Sequence, residues 1–423
     1  MRDELTSREK RRRRRIKNQI FAYITLVFFC IVALAGVYYG YKGIVRYIKN
    51  YNEKVNDAIA EAESSITDEI ENEQQSIEND NVSDSSSNIN EPSPIDELVQ
   101  SLLKDMTLEE KVAGMFIVSP ESITGVTTAI QAGEGTKKAI TENPVGGIIY
   151  NEKNFKSDEQ FLEMLTNTKT FSKYPLFMAV TKECGEDTKF GVPVTKKASE
   201  LHDTDSVKQT YAMISEKLAS YGVNMNFAPV AEISAEDGDA QLQGRVFGCD
   251  AATSAPLVNA AVQAIQEKEV SAVLKKFPGA GTNAKSLEEL KNSEFLIYEM
   301  AIQNGADCIM VSHIAANGVT GDDTPSSLSS AIITDVLRNT LGFNGIVITD
   351  SLNDSAITGR YSDAEAAVAA VKAGADIILE PSDYKAAYEG VLKAVSEGTI
   401  SKERIDESLY RIYRVKYKNA LNQ

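Results

Sequence analysis

The sequence predicts an α/β protein, a (β/α)8 TIM-type barrel preceded by a transmembrane helix and a helical stalk. Three observations predict it. Eight short, β-rich apolar runs alternate with helix-periodic segments over roughly 330 residues. An uncharged stretch of 22 residues lies near the N-terminus. Between the two, a stripe at helical spacing gives way to a polar tether that ends in prolines.

Residues 1–19 read as a basic cytoplasmic tail. Up to Lys17 there are nine Lys/Arg against three Asp/Glu, a charge of +6, so in a chain of −17 the remainder carries −23. Ile20 to Tyr41, "IFAYITLVFFCIVALAGVYYGY", meets the roughly 20 apolar residues that a helix needs to cross the hydrocarbon core. Arg11 to Lys17 are its positive cytoplasmic flank, and Tyr38, Tyr39 and Tyr41 sit at the far interface. A cleaved signal peptide is the competing reading, because "ALAG" at Ala33 to Gly36 offers a cutting site; the apolar run continues past it. The expectation is a single-pass cell-membrane protein with the body outside.

Residues 42–78 carry Ile48, Tyr51, Val55, Ile59, Ala62, Ile66, Ile70 and Ile77 at steps of mostly three or four. That stripe fits a solvated helical stalk, or a coil that self-associates weakly. Residues 79–94, "NDNVSDSSSNINEPSP", form a flexible linker, and 95–423 form the barrel domain.

The acidic body repels a phosphate backbone, which argues against a nucleic-acid partner. Cys30 falls in the span, and Cys184, Cys249 and Cys308 are too few and too scattered for a disulfide framework. With His202 and His313 the only histidines and no CxxC, no metal or cofactor is expected.

The strand runs are Met115 to Val118, Gly147 to Tyr150, Leu176 to Val180, Met225 to Val230, Ser271 to Leu274, Cys308 to Ser312, Ile346 to Thr349 and Ile377 to Leu379. Helical spacing fills Gln160 to Phe171, Ser206 to Tyr221 and Pro256 to Glu267. A doubly wound open sheet remains the alternative, since periodicity does not distinguish it from a closed one. In a barrel, the residues just after each strand line the catalytic face. Here they are Thr181, Lys182 and Glu183, then Glu232, Lys275 and Lys276, His313, Asp350, and Glu380. Asp350 stands out because it places a charge directly after a buried run, where burial without a task is costly.

Gly279 to Ser286 misses a phosphate loop, G-x-x-x-x-G-K-S, by Ala284 alone. Its surroundings point elsewhere. "MTLEEKVAGMFIV", "VGGIIYNEKNF", "NMNFAPVAEI", "GRVFGCD", "KKFPGAG", "GADCIMVSHI" and "LGFNGIVITDSL" follow one another between Met106 and Leu352. In that order they resemble the family 3 glycoside hydrolases, most closely the bacterial β-N-acetylhexosaminidase branch. The resemblance implies a barrel that removes terminal β-N-acetylglucosamine from cell-wall glycans or muropeptides with retention. It also implies that the glycine loop serves sugar hydroxyls.

By the same resemblance Asp350 is the nucleophile, Arg245 contacts the sugar, and Lys275 is the lysine of the family's K-H-F-P-G-H-G-D pattern. The chain then departs from the family. Lys276 and Ala280 occupy the two histidine positions, Thr282 the aspartate, and Thr181 to Glu186 replaces D-Q-E-G-G-R. The Asp-x-His loop that carries the branch's acid/base is missing between Gly281 and "KSLEELKNSEFL". Losing a general acid/base costs about 10² to 10⁴ in rate. Glu183 and Glu232 are the candidate substitute acids. Two expectations follow: a hexosaminidase with impaired activity and a rebuilt acid/base, or a non-catalytic barrel that binds wall glycans or scaffolds a complex.

Overall fold

Eight short strands stand side by side in the order in which the chain makes them. The computed structural model describes residues 93–187, 189–234, 239–279 and 284–421, all within one compact unit, Asn90–Gln423. The strands are β1 (Phe116–Val118), β2 (Gly147–Tyr150), β3 (Phe177–Val180) and β4 (Met225–Asn226). They continue as β5 (Ser271–Phe277), β6 (Cys308–Val311), β7 (Ile346–Thr349) and β8 (Ile378–Leu379). The expected membrane span (20–41), the stalk (42–78) and all but the end of the linker lie outside the described residues. Among the described residues no helix is long and apolar enough to cross a membrane.

Pairing is parallel throughout, from β8 to β1 and on to β7. A parallel bridge between Ile348 and Ile377 then joins β7 back to β8. The sheet is therefore a barrel, and the open alternative falls. Helices such as Asp158–Phe171, Thr204–Ser220 and Ala251–Gln266 cover its outside. They begin where Ser157, Asp203 and Asp250 accept backbone N–H groups of the first turn, a capping contact worth about 1 kcal/mol each.

Two strands differ in length from expectation, for one reason. Pro229 has no N–H to donate, so β4 lapses after Asn226 and resumes only as a bridge between Val230 and Lys275. That bridge prolongs β5 through Lys276 to Phe277, with Ala231 N–H donating to the Lys275 carbonyl at 2.7 Å. Register against β6 shifts between Leu274 and Phe277. Irregularities of this kind re-aim side chains at barrel rims. The two lysines of the K-K-F-P-G stretch are thus strand residues at the mouth.

The other end of the barrel is tied by one carboxylate. Asp376, fully buried before β8, accepts from Arg338, from Arg411 Nη1 at 3.0 Å, from Ser408 Oγ at 2.8 Å and from Val347 N–H at 2.9 Å. It fastens helix Lys402–Leu421 to the sheet. Nearby, buried Lys416 donates to the carbonyls of Gly146 and Pro175, both at 2.8 Å, with the rings of Phe177 and Tyr413 beneath it. No carboxylate within the described residues pairs with it, and burial lowers its ammonium to about 7.

Truncating Asp376 to Ala strands Arg338 and Arg411, and Arg404 at 3.7 Å, in a desolvated site and is expected to cost about 3–5 kcal/mol, read as a fall in the urea midpoint. Lys416 makes stability depend on pH. Below about 7 both states hold its proton, whereas between about 7 and 10 only the unfolded chain does. Stability is expected to rise through that window by up to about 1.4 kcal/mol per pH unit. Lys416→Met should remove that share of the rise in parallel urea titrations of the two proteins.

Candidate active site

Asp350 follows β7 directly, and its N–H donates to the Val311 carbonyl at 2.9 Å, which continues the ladder one residue past the strand. Its side chain is 17% exposed. One carboxylate oxygen accepts Ser351 N–H at 3.0 Å, and the other meets Lys276 Nζ at 2.5 Å. The lysine that occupies a histidine position of the family pattern thus lies on the candidate nucleophile.

Lys275 turns to a different partner. Its buried ammonium pairs with Glu183 at 2.7 Å, while Arg245 grips the same carboxylate through Nε at 2.7 Å and Nη2 at 2.6 Å. Burial alone raises the Glu183 carboxyl, but the Arg245 hydrogen bonds and the charges of Lys275 and Arg245 outweigh it and hold it at about 2. Burial pushes the Lys275 ammonium down, against the pull of Glu183. Two loop residues, Glu183 and Arg245, and one strand residue, Lys275, are thereby locked into one ion cluster. Glu232, also buried, accepts Lys276 N–H at 3.2 Å.

The loop after β3 that carries Glu183 is fixed from below. Asn226, buried in β4, takes Lys182 N–H on its carbonyl oxygen and donates its amide to the Lys182 carbonyl, both at 2.9 Å. Lys182, itself fully buried, pairs with Asp187 at 2.9 Å and donates to the Glu183 carbonyl at 2.5 Å. Further out, Phe190 enters an aromatic cluster with Phe155 and Phe161, and Tyr221 donates to the Phe190 carbonyl. Asn226 is a positioning residue that reading by residue type missed. The available signal was a polar amide inside an otherwise apolar strand.

His313 buttresses the nucleophile's loop. Its Nε2 lies 2.9 Å from the Ser351 carbonyl, which only accepts, so the proton sits there and Nδ1 faces Ser327 Oγ at 2.7 Å. Both ring nitrogens are engaged. Lys285 pairs with Glu294, and Ser286 caps helix Leu287–Lys291, so neither residue of the near-match phosphate loop is free for a phosphate. Positions 280–283, including Ala280 and Thr282, lie outside the described residues.

Asp350, Lys276, Glu232, Glu183, Lys275 and Arg245 therefore share one end of the barrel and are joined by direct contacts. A partly exposed carboxylate is present there, beside a cluster of cations gathered round Glu183.

Comparison with known proteins agrees with this architecture. The profile of the glycosyl hydrolase family 3 N terminal domain matches residues 107–415. A β-N-acetylglucosaminidase/β-glucosidase of Cellulomonas fimi is 26% identical over 356 residues, which are 77% of this chain and 60% of that protein. A β-hexosaminidase of Hydrogenovibrio crunogenus is 27% identical over 304 residues, 66% of this chain and 83% of that one. Among solved structures, a family 3 β-N-acetylglucosaminidase from Paenibacillus sp. str. FPU-7 superposes with a TM-score of 0.70 at 31% identity, covering 75% of this chain and 64% of that chain. The chain thus spans less than two thirds of the Cellulomonas and Paenibacillus proteins. A profile match across nearly the whole barrel, with the strand-end Asp350 and Arg245 inside it, makes the chain a member of glycosyl hydrolase family 3, in its β-N-acetylhexosaminidase branch.

Proposed function

We propose that this barrel is tethered outside the cell membrane and hydrolyses terminal β-N-acetylglucosamine from cell-wall glycans or muropeptides. It does so with retention, and more slowly than relatives that keep the acid/base loop. The 22-residue apolar segment, the striped stalk and the linker support the tether. The observation that carries the chemistry is Asp350, a partly exposed carboxylate at the end of β7. Retaining hydrolysis needs such a group to attack the anomeric carbon while a second group protonates the departing oxygen.

Glu183 is poorly suited to be that second group. With its carboxyl held at about 2, it carries almost no proton at neutral pH, and its role in this reading is to keep Arg245 and Lys275 aimed at the sugar. Glu232 is buried and already accepts the Lys276 amide. A second reading, a barrel that holds glycans without cutting them, is favoured by one feature: both oxygens of Asp350 are occupied, by Ser351 N–H and Lys276.

An aryl β-N-acetylglucosaminide with a very good leaving group separates the two readings, because its departure barely needs an acid. The full-length protein in detergent is expected to release the phenolate, and a fluorinated sugar is expected to label Asp350. Asp350→Asn should bring release down to background. Wild type and Asp350→Asn equally inert would leave the glycan-holding reading in its place. Arg245→Ala should raise KM at least about tenfold, since a lost hydrogen bond to a charged group costs on the order of 1.5–3 kcal/mol.

A further inference from the structure

Glu380 stands at the end of β8, beside the strand that ends in Asp350. The two strand ends are stitched together: Leu352 N–H donates to the Leu379 carbonyl at 2.9 Å, and Asn353 N–H to the Glu380 carbonyl at 3.1 Å. Glu380 has a φ of +40°, a region that side-chain-bearing residues rarely enter. Its side chain lines a cleft of about 700 Å³ with Glu121, Asn143, Asn353 and Tyr388.

The electrostatics of Glu380 are opposite to those of Glu183. Burial raises its carboxyl, and the charges of Glu121 and Asp350 raise it further against the pull of Lys153. Within the described residues its carboxyl has no hydrogen-bond or ion-pair partner. Glu121, which is not a strand-end residue, is held through one oxygen by Asn154, the Ala129 N–H and Lys153, and its other oxygen is buried without a partner among the described residues. Glu183 and Glu232 are engaged as described above. Glu380 is the strand-end carboxyl that is both free to move a proton and next to the nucleophile's loop.

We propose that Glu380 is the acid/base of this site in place of the lost loop. The inference rests on the hydrolytic reading above. In the first step Asp350 attacks the anomeric carbon, the glycosidic C–O bond breaks, and the departing oxygen takes the Glu380 proton with the bond's electron pair. In the second step water attacks the same carbon and gives a proton back to Glu380. The ester bond to Asp350 breaks and returns its electron pair to the carboxylate.

The test compares two leaving groups on the full-length protein. Glu380→Gln is expected to lower kcat/KM for chitobiose at least about 100-fold, the scale of a lost general acid, with a loss at least about tenfold smaller for the dinitrophenyl glycoside. With Glu380→Ala, added azide should restore turnover and give the β-glycosyl azide, which a merely structural role would not produce. Thermal melts of both variants check that the fold is intact. Equal losses on the two substrates, no loss on either, or chitobiose left uncut by a wild type that cleaves the aryl glycoside would each overturn the assignment of Glu380 and leave the hydrolytic reading standing. An inert wild type on the aryl glycoside would remove both.

Discussion

The organisation of this barrel depends on one constraint: a carboxylate taken out of water must find cations or N–H groups, and each cation it finds is withdrawn from other work. At the mouth, Glu183 takes both Arg245 and Lys275. At the base, Asp376 takes Arg338 and Arg411, with Arg404 slightly further off at 3.7 Å. The basal cluster does a fold's work, tying the C-terminal helix to the sheet. The mouth cluster does a site's work, because it converts three flexible side chains, two from loops and one from β5, into a fixed surface. Its stiffness has a chemical consequence: the carboxyl at its centre is too acidic to serve as a proton donor.

The same constraint explains the substitution at position 276. A neutral imidazole beside Asp350 would leave the carboxylate with only a hydrogen-bond donor, whereas the Lys276 ammonium contributes a full opposite charge at 2.5 Å. It also lies directly against the candidate nucleophile. A glycan entering this mouth has to displace the ammonium or share it, so the resting contact favours an intact carboxylate and opposes occupancy. Sugar hydroxyls are acceptors as well as donors, and an ammonium with three N–H groups can accommodate one while keeping the carboxylate.

Much of the fold was legible in the sequence because buried parallel strands leave a simple trace. Seven of the eight strands fall within or almost within the apolar runs that predict them, since Val, Ile and Met on both faces have no other explanation at that length. β4 and β5 were misjudged in length because the effect of Pro229 is felt on a neighbouring strand, through a bridge between residues 45 positions apart. Asp350 was legible as a charge closing a buried run. The Glu183 cluster was not, because it joins loops 62 residues apart in the chain, and charge type at a strand end says nothing about which cation will turn toward it. Glu380 was visible as a strand-end residue only; its backbone twist is a tertiary property with no residue-type signature.

The contrast between Glu183 and Glu380 carries the argument about mechanism furthest. Both are glutamates just past the end of a barrel strand, and both are largely withdrawn from water. One has two cations in contact and is driven toward permanent ionisation; the other is pushed toward the neutral acid by burial first, and then by nearby carboxylates against the pull of Lys153. Environments that push like groups apart in this way are how one site comes to hold an anion and an acid at the same pH. In the family's usual arrangement a separate loop supplies the acid. In this chain burial raises the Glu380 carboxyl and the field of Asp350 adds to it, so the proposed nucleophile and proton donor become mutually dependent. Removing the charge at 350 then lowers the acidity threshold of Glu380 as well as abolishing attack, which couples the two positions in a way that residues on separate loops are not.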